Sequence, residues 1–301
     1  MKRVIITGPT GSIGTALTDI LTRDGCEVYA ICRPGSENIC NLPKNPLVHV
    51  IECDISDTPT LKDRLTPGFD AFYHFAWNGT FGSSRDDIKR QSDNIQYTLD
   101  AVKTAKELAC EVFIGAGSQA EIGHFDAPGN ECTPTYPFTF YGAAKLSAGH
   151  MSRVYANMLG IRHVWGRIFS VYGPNDDPGT LISLLVDEIS QGHSPDLTLG
   201  EQHWDYLFSY DAAEAFALMA TKGRNNALYS LGGGERKLLR DYIIELRDLI
   251  DPTVELGFGK RAYSDNQVMY VATDTTAITK DLGFTPRYSF KEGIQTILNR
   301  R

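Results

Sequence analysis

Short apolar runs rich in β-branched residues alternate, across the first half of the chain, with longer stretches whose apolar positions recur every three or four residues. This is the pattern of a parallel sheet built from strand-helix-strand units. The runs predict strands at residues 4–6, 27–32, 47–52, 71–75, 112–114 and 161–168. Between the first two, Ile13, Leu17, Ile20 and Leu21 fall at helical spacing, and Gly25 stands where a helix commonly ends on glycine. The second half is less regular: Tyr172 to Gly179 is rich in turn residues, and a helix is predicted over 181–190. Organisation therefore changes near residue 172, with no internal repeat and no low-complexity tract.

Composition narrows the class. The chain has 301 residues, 42% hydrophobic and 22% charged, so disordered and fibrous classes drop out. A formal charge of -8, with no basic block to reverse it locally, argues against a nucleic-acid partner. The six cysteines include no Cys-x-x-Cys pair and read as reduced thiols, with Cys26, Cys32, Cys53 and Cys110 in or beside apolar runs. No histidine falls in a metal-binding pattern, so no metal is expected, and His74 reads as a satisfied interior imidazole. The first apolar run ends at Gly8 and no run approaches a membrane span, so the expected location is cytoplasmic, with no membrane partner.

Thr7-Gly8-Pro9-Thr10-Gly11-Ser12-Ile13-Gly14 lies directly between the first strand and the first helix. Glycines there let the chain turn sharply and bring backbone N–H groups close to a ligand, and the helix N-terminus favours an anion, so a dinucleotide pyrophosphate suits the turn. The end of the second strand should choose the cofactor. Cys32-Arg33-Pro34 offers no carboxylate for ribose hydroxyls but does offer an Arg for a 2′-phosphate, which favours NADP over NAD unless Arg33 is merely solvated. Asp54, ending the third strand, is either an adenine contact or a turn cap.

Tyr141 and Lys145 open an amphipathic helix four residues apart, hence on one face. A phenol used as acid or base near neutral pH needs a neighbouring cation, and Lys145 is expected to supply it. Ser118 follows a strand at its carboxyl end, where open parallel sheets bind ligands. Its hydroxyl either holds a substrate oxygen or bonds its own turn. Trp77 and Phe81 fall near the same crevice mouth, lining a substrate or packing on the surface.

At these residues the chain resembles the extended short-chain dehydrogenase/reductase family, specifically the NAD(P)-dependent nucleotide-sugar epimerases, dehydratases and reductases. The ordered set comprises the glycine turn, Asp54-Ile55, Tyr73-His74-Phe75-Ala76, the Ser118 strand end, Tyr141 to Lys145, Arg167 to Pro174, and Asp205-Tyr206 leading to Asp211-Ala212-Ala213-Glu214-Ala215. The resemblance implies a Rossmann-like doubly wound parallel α/β sheet with a smaller C-terminal lobe over a nucleotide sugar. Residues 1–171, with segments near 205–235 returning, would form the cofactor domain, and 172–301 mainly the substrate lobe. It further implies Ser118, Tyr141 and Lys145 as the catalytic trio, Gly8, Thr10, Gly11, Ser12, Ile13, Gly14, Ile55, Phe75 and Ala76 on the cofactor, and a homodimer paired through residues 87–108 and 141–158.

Departures shape the expected reaction. Family dehydratases follow the hydroxyl residue with an acidic pair, but here Gln119 and Ala120 follow, so dehydration is disfavoured. Ser170 replaces a common Asn, and Trp204 replaces an Arg that meets phosphates in many relatives, leaving Trp204 either to stack on substrate or to pack in the core. Trp77, Gln119, Ser170 and Trp204 are the substrate-side candidates. The leading expectation is an NADPH-dependent reductase of a nucleotide-linked 4-keto sugar. The alternatives are a 4-epimerase that retains NAD and, from a different class, an NADP-sensing regulator without turnover.

Overall fold

The computed structural model describes residues 1–300. Strands β1 (Arg3–Thr7), β2 (Glu27–Cys32), β3 (Val48–Glu52), β4 (Ala71–His74), β5 (Val112–Ser118) and β6 (Arg162–Ile168) appear in the predicted order. Helices α1 (Ser12–Arg23), α2 (Leu61–Arg64), α3 (Ile88–Glu107) and α4 (Phe140–Leu159) lie between them. After β6 the chain makes β7 (Val171–Tyr172), α5 (Leu181–Ser190), β8 (Asp196–Leu197), β9 (His203–Trp204), β10 (Leu207–Phe208), α6 (Ser209–Lys222) and β11 (Ala227–Leu231). The helix predicted over 181–190 is thus found at those bounds.

The seven long strands form one sheet in the order β3-β2-β1-β4-β5-β6-β11, all parallel. This is the Rossmann-like doubly wound arrangement. Both faces are covered, which is why β1 reads as a continuous apolar run: Val4 and Ile6 pack with α1 and α6, while Ile5 packs with α3 on the other side. The strand order reverses between β1 and β4, and the crevice at that reversal, beyond the carboxyl ends of the strands, is where such sheets bind ligands. Strand β11 comes from far along the chain and closes the sheet beside β6.

One strand differs from its predicted length. β5 runs on through Gly115, Ala116 and Gly117, where glycine had suggested an end. The reason is the indole of Trp165 on β6: a Cβ at Gly115 would come within 2.1 Å of it, and one at Gly117 within 2.3 Å. Glycine is a strand residue here because its neighbour fills the space. Other ends differ by a residue. Cys26, Cys32, Cys53 and Cys110 are buried and free, and Cys40 and Cys132 are exposed. Among the described residues no helix is long and apolar enough to cross a membrane.

Candidate active site

The turn between β1 and α1 is fixed by two glycines and leaves a third vacant. Gly8 has φ +69, and a Cβ there would meet the backbone N of Ala76 at 2.7 Å. A Cβ at Gly14 would lie 2.4 Å from the Gly8 carbonyl. These two positions let strand, turn and helix close on one another. Gly11, the residue preceding α1, has nothing within 4 Å of its missing side chain. The protein itself does not need that space. Beside it the Ser12 hydroxyl is buried and makes no hydrogen bond. An open glycine, an unpaired hydroxyl and a helix N-terminus together fit a pyrophosphate, so the residues present suit the expected dinucleotide.

From this turn a cavity of about 580 Å³ extends over the ends of β4, β5 and β6. Gly8, Gly11, Ser12, Ile13 and Gly14 line one end, and Ser118, Gln119, Tyr141 and Lys145 line the middle. Trp77, Phe81 and Arg85 close one side, while Ser170, Trp204, Tyr206 and the Asp176–Ile182 segment close the other. Lys145 is buried and donates to the Ala116 carbonyl at 2.7 Å. Its ammonium lies 3.8 Å from the centre of the Trp77 ring, whose indole N–H is held by Gln91 at 2.9 Å.

Burial pushes the Lys145 ammonium down to about 7, with Glu121 opposing. It pushes the Tyr141 phenol above its usual range, and the Ser118 hydroxyl and the Arg85 guanidinium pull it back down. Beside Lys145, the cation the sequence offers to the phenol, the structure places a second one, Arg85. Lys145 is turned toward Ala116 and Trp77, 6.0 Å from the Tyr141 ring centre, whereas Arg85 lies 4.5 Å from it. Burial and Lys145 lower His74 to about 3, so it stays a neutral bridge between Thr7 and Thr98.

The other predicted residues divide. Phe75, Trp77, Gln119, Ser170 and Trp204 all line the cavity, and the Gln119 carbonyl oxygen is buried without a partner. Trp204 donates to the Ser170 hydroxyl at 2.8 Å, so the two replaced family positions form one linked pair. Thr10, Arg33, Asp54, Ile55 and Ala76 lie outside this cavity. Arg33 is exposed at the end of β2, Ile55 is buried, and Ala76 meets the turn through its N–H to Thr7. Asp54 accepts from the N–H and hydroxyl of Ser56, both at 3.0 Å, so it caps the turn that follows. The Ser118 hydroxyl accepts from the Ala120 N–H at 3.2 Å while facing Tyr141. The bond to its own turn is therefore present, and the hydroxyl also reaches the phenol.

Three features escaped the sequence reading. Glu121 is 1% exposed and does not line the cavity; it accepts from the Ser118 N–H at 2.8 Å, from Trp165 at 3.1 Å and from Arg167 at 2.9 Å. A carboxylate and a guanidinium inside otherwise apolar segments were the available signal. Gln91, also 1% exposed, holds the Trp77 indole and the carbonyls of Gly79 and Ser84. Asp176 is the one carboxylate among the described residues lining the cavity, and burial raises it to about 6.

Comparison with known proteins agrees with this architecture. The chain is 25% identical over 306 residues to the CDP-abequose synthase of Salmonella typhimurium, covering 99% of this chain and 97% of that one. The fold matches a UDP-N-acetylglucosamine 4-epimerase from Methanobrevibacter ruminantium at 22% identity with a TM-score of 0.90, covering 100% and 99% of the two chains. It also matches a dTDP-glucose 4,6-dehydratase from Streptomyces venezuelae, solved with NAD, at 24% identity and a TM-score of 0.87, covering 98% and 96%. The family model described as "NAD dependent epimerase/dehydratase family" matches residues 4–232. With glycine turn, hydroxyl, phenol and ammonium gathered at one crevice, the chain belongs to the NAD dependent epimerase/dehydratase family and is an enzyme of the short-chain dehydrogenase/reductase type.

Proposed function

We propose that the protein reduces the keto group of a nucleotide-linked 4-keto sugar, with NADPH as the preferred cofactor. The observation that carries this reading is the cavity wall around Ser118: it holds a hydroxyl, a phenol and an ammonium, but no carboxylate next to the hydroxyl. Gln119 and Ala120 cannot exchange a proton for an elimination, and Glu121 is committed to the buried pair with Arg167. What remains is carbonyl–alcohol interconversion. A dinucleotide held through its pyrophosphate at the glycine turn would supply the hydride from its nicotinamide. Ser118 donates a hydrogen bond to the carbonyl oxygen, and Tyr141 gives that oxygen its proton as charge develops on it. Lys145, which donates to the Ala116 carbonyl, would hold the cofactor's ribose hydroxyls. Gln119, Ser170 and Trp204 would orient the sugar, and Phe75 would line the cofactor.

Arg33 supports NADPH, since no carboxylate stands at the end of β2 to reject a 2′-phosphate. Glu52 favours a second reading. From the end of β3 it accepts from the Gly35 N–H at 3.1 Å, which brings an acid beside the Arg33 loop, and an acid there suits NAD retained by a 4-epimerase. One experiment separates the two. NADPH and NADH are offered with UDP-, dTDP-, CDP- and GDP-linked 4-keto-6-deoxy sugars, and absorbance is followed at the reduced-nicotinamide band. Stoichiometric NADPH consumption with one substrate class is expected. Purified protein that carries NAD and inverts an unoxidised nucleotide sugar without consuming cofactor would overturn the reductase reading.

A further inference from the structure

We infer that Trp77 is a positioning residue for Lys145: its indole face receives the buried ammonium, and Gln91 fixes that face. This rests on the reading of Lys145 as the ammonium that serves the phenol and the cofactor. Lys145 is 5% exposed and donates to the Ala116 carbonyl at 2.7 Å. No carboxylate among the described residues forms an ion pair with it. A buried ammonium without a counter-ion is driven to release its proton, and burial acts on Lys145 in that direction. What meets it instead is the Trp77 ring, whose centre lies 3.8 Å from the nitrogen. An indole is negative on its face, and a cation removed from water gains most from that field. The ring steadies the charge without occupying a hydrogen bond, so donors of the ammonium are left for a ligand's hydroxyls.

The ionisable groups around Lys145 are Tyr141 from its own helix, with the ring centre 6.0 Å away, His74 from the end of β4, and Glu121 from the turn after β5. His74 is a neutral bridge, and Glu121 is committed to Arg167, Trp165 and the Ser118 N–H. Arg85, ahead of α3, stands over the Tyr141 ring. Tyr141 in turn meets the Trp77 indole edge-on, at 82° with the ring centres 6.1 Å apart. One indole therefore borders both the phenol and the ammonium.

Gln91 sets the plane of that indole. Its amide oxygen accepts from the indole N–H at 2.9 Å, while its nitrogen donates to the Gly79 carbonyl at 2.7 Å and the Ser84 carbonyl at 2.9 Å. Nearby, Asn94 exchanges hydrogen bonds with the backbone of Asn78, both at 2.9 Å. Two buried amides on α3 thus fix the segment that carries the ring.

The test needs neither cofactor nor substrate, so its failure is distinguishable from failure of the proposed reaction. Protein labelled with 13C at the lysine ε carbon is titrated by NMR, and Lys145→Met assigns the signal. Trp77→Leu keeps an apolar cover but removes the ring face. In it the proton affinity of Lys145 falls about tenfold, within what a desolvated cation on an indole face contributes. Trp77→Phe keeps part of that affinity, and Gln91→Leu lowers it by less than Trp77→Leu. Growth on ring-fluorinated tryptophan preserves the shape of the side chain while drawing charge off its face, and it moves the titration the same way by a smaller step. Among the described residues no other indole lies over Lys145. A titration unchanged in Trp77→Leu overturns the inference. So do equal losses in Trp77→Leu and Trp77→Phe, or a fluorinated protein that titrates as the unsubstituted one does.

Discussion

The two ends of the crevice are built by different means. At the glycine turn the shape is made by backbone: Gly8 and Gly14 have no room for a Cβ, and Gly11 leaves space facing the cavity. Around Tyr141 the shape is made by side chains brought from four separate segments: Trp77 and Arg85, Ser118, Tyr141 and Lys145, and Trp204. A backbone-made site tolerates changes in its neighbours but not in its glycines. A site made of side chains is adjustable residue by residue, and its proton affinities depend on burial.

The sharpest way to break this contrast is at the proton donor. Tyr141→Phe is expected to lower kcat by roughly 10² to 10⁴-fold, in the range of a general acid, with dinucleotide affinity by calorimetry unchanged. A loss of affinity as large as the loss of rate would mean that the two ends are not independent. Next in size is Glu121→Gln, which leaves Arg167 buried without its partner charge. Such a change costs about 3–5 kcal/mol of stability, read by urea unfolding. It should loosen Ser118 as well, because Glu121 holds its N–H.

The glycine end offers a paired test. Gly8→Ala forces a Cβ into the Ala76 backbone at a positive φ, so it should lower Tm and cofactor affinity together. Gly11→Ala should leave stability within about 0.5 kcal/mol of the unsubstituted protein while weakening dinucleotide binding, since its Cβ meets only the space the ligand takes. Equal effects on stability would remove the distinction between the two glycines.

The smallest expected effect concerns Asp176. Its carboxyl is raised to about 6, so the folded state binds a proton more tightly than the unfolded chain, where the group titrates near ~3.9. Stability therefore declines as pH rises from about 4 to about 6, and the loss is complete above that range. Asp176→Asn removes this cost. Its Tm should exceed that of the unsubstituted protein at pH 8 and match it at pH 4, by scanning calorimetry.

The same contrast explains what could be read in advance. Strand-forming runs, the glycine turn and the helix at 181–190 are local patterns, and the parallel sense of the sheet follows from their alternation. Arg85 gives no local signal, because its meaning depends on the turn before α3 folding over a residue on α4. Glu121 and Arg167 are 46 residues apart and meet only because β5 and β6 are neighbours. Gly115 misled the strand boundary for the same reason: the indole that explains it belongs to another strand. Lys145 shares a helix face with Tyr141, as the spacing predicts, but its contacts with the Ala116 carbonyl and the Trp77 indole come from other segments and gave no local signal.

The chain has three tryptophans, and each indole N–H is anchored: Trp77 on Gln91, Trp165 on Glu121, and Trp204 on Ser170. Two of them border the crevice from opposite sides and the third lies beneath it, against the glycines of β5. The molecule thereby carries its own optical gauge. Occupancy at either rim should quench one emitter without disturbing the other, and single Trp→Phe replacements would turn the protein's native fluorescence into a record of which ligand arrives first.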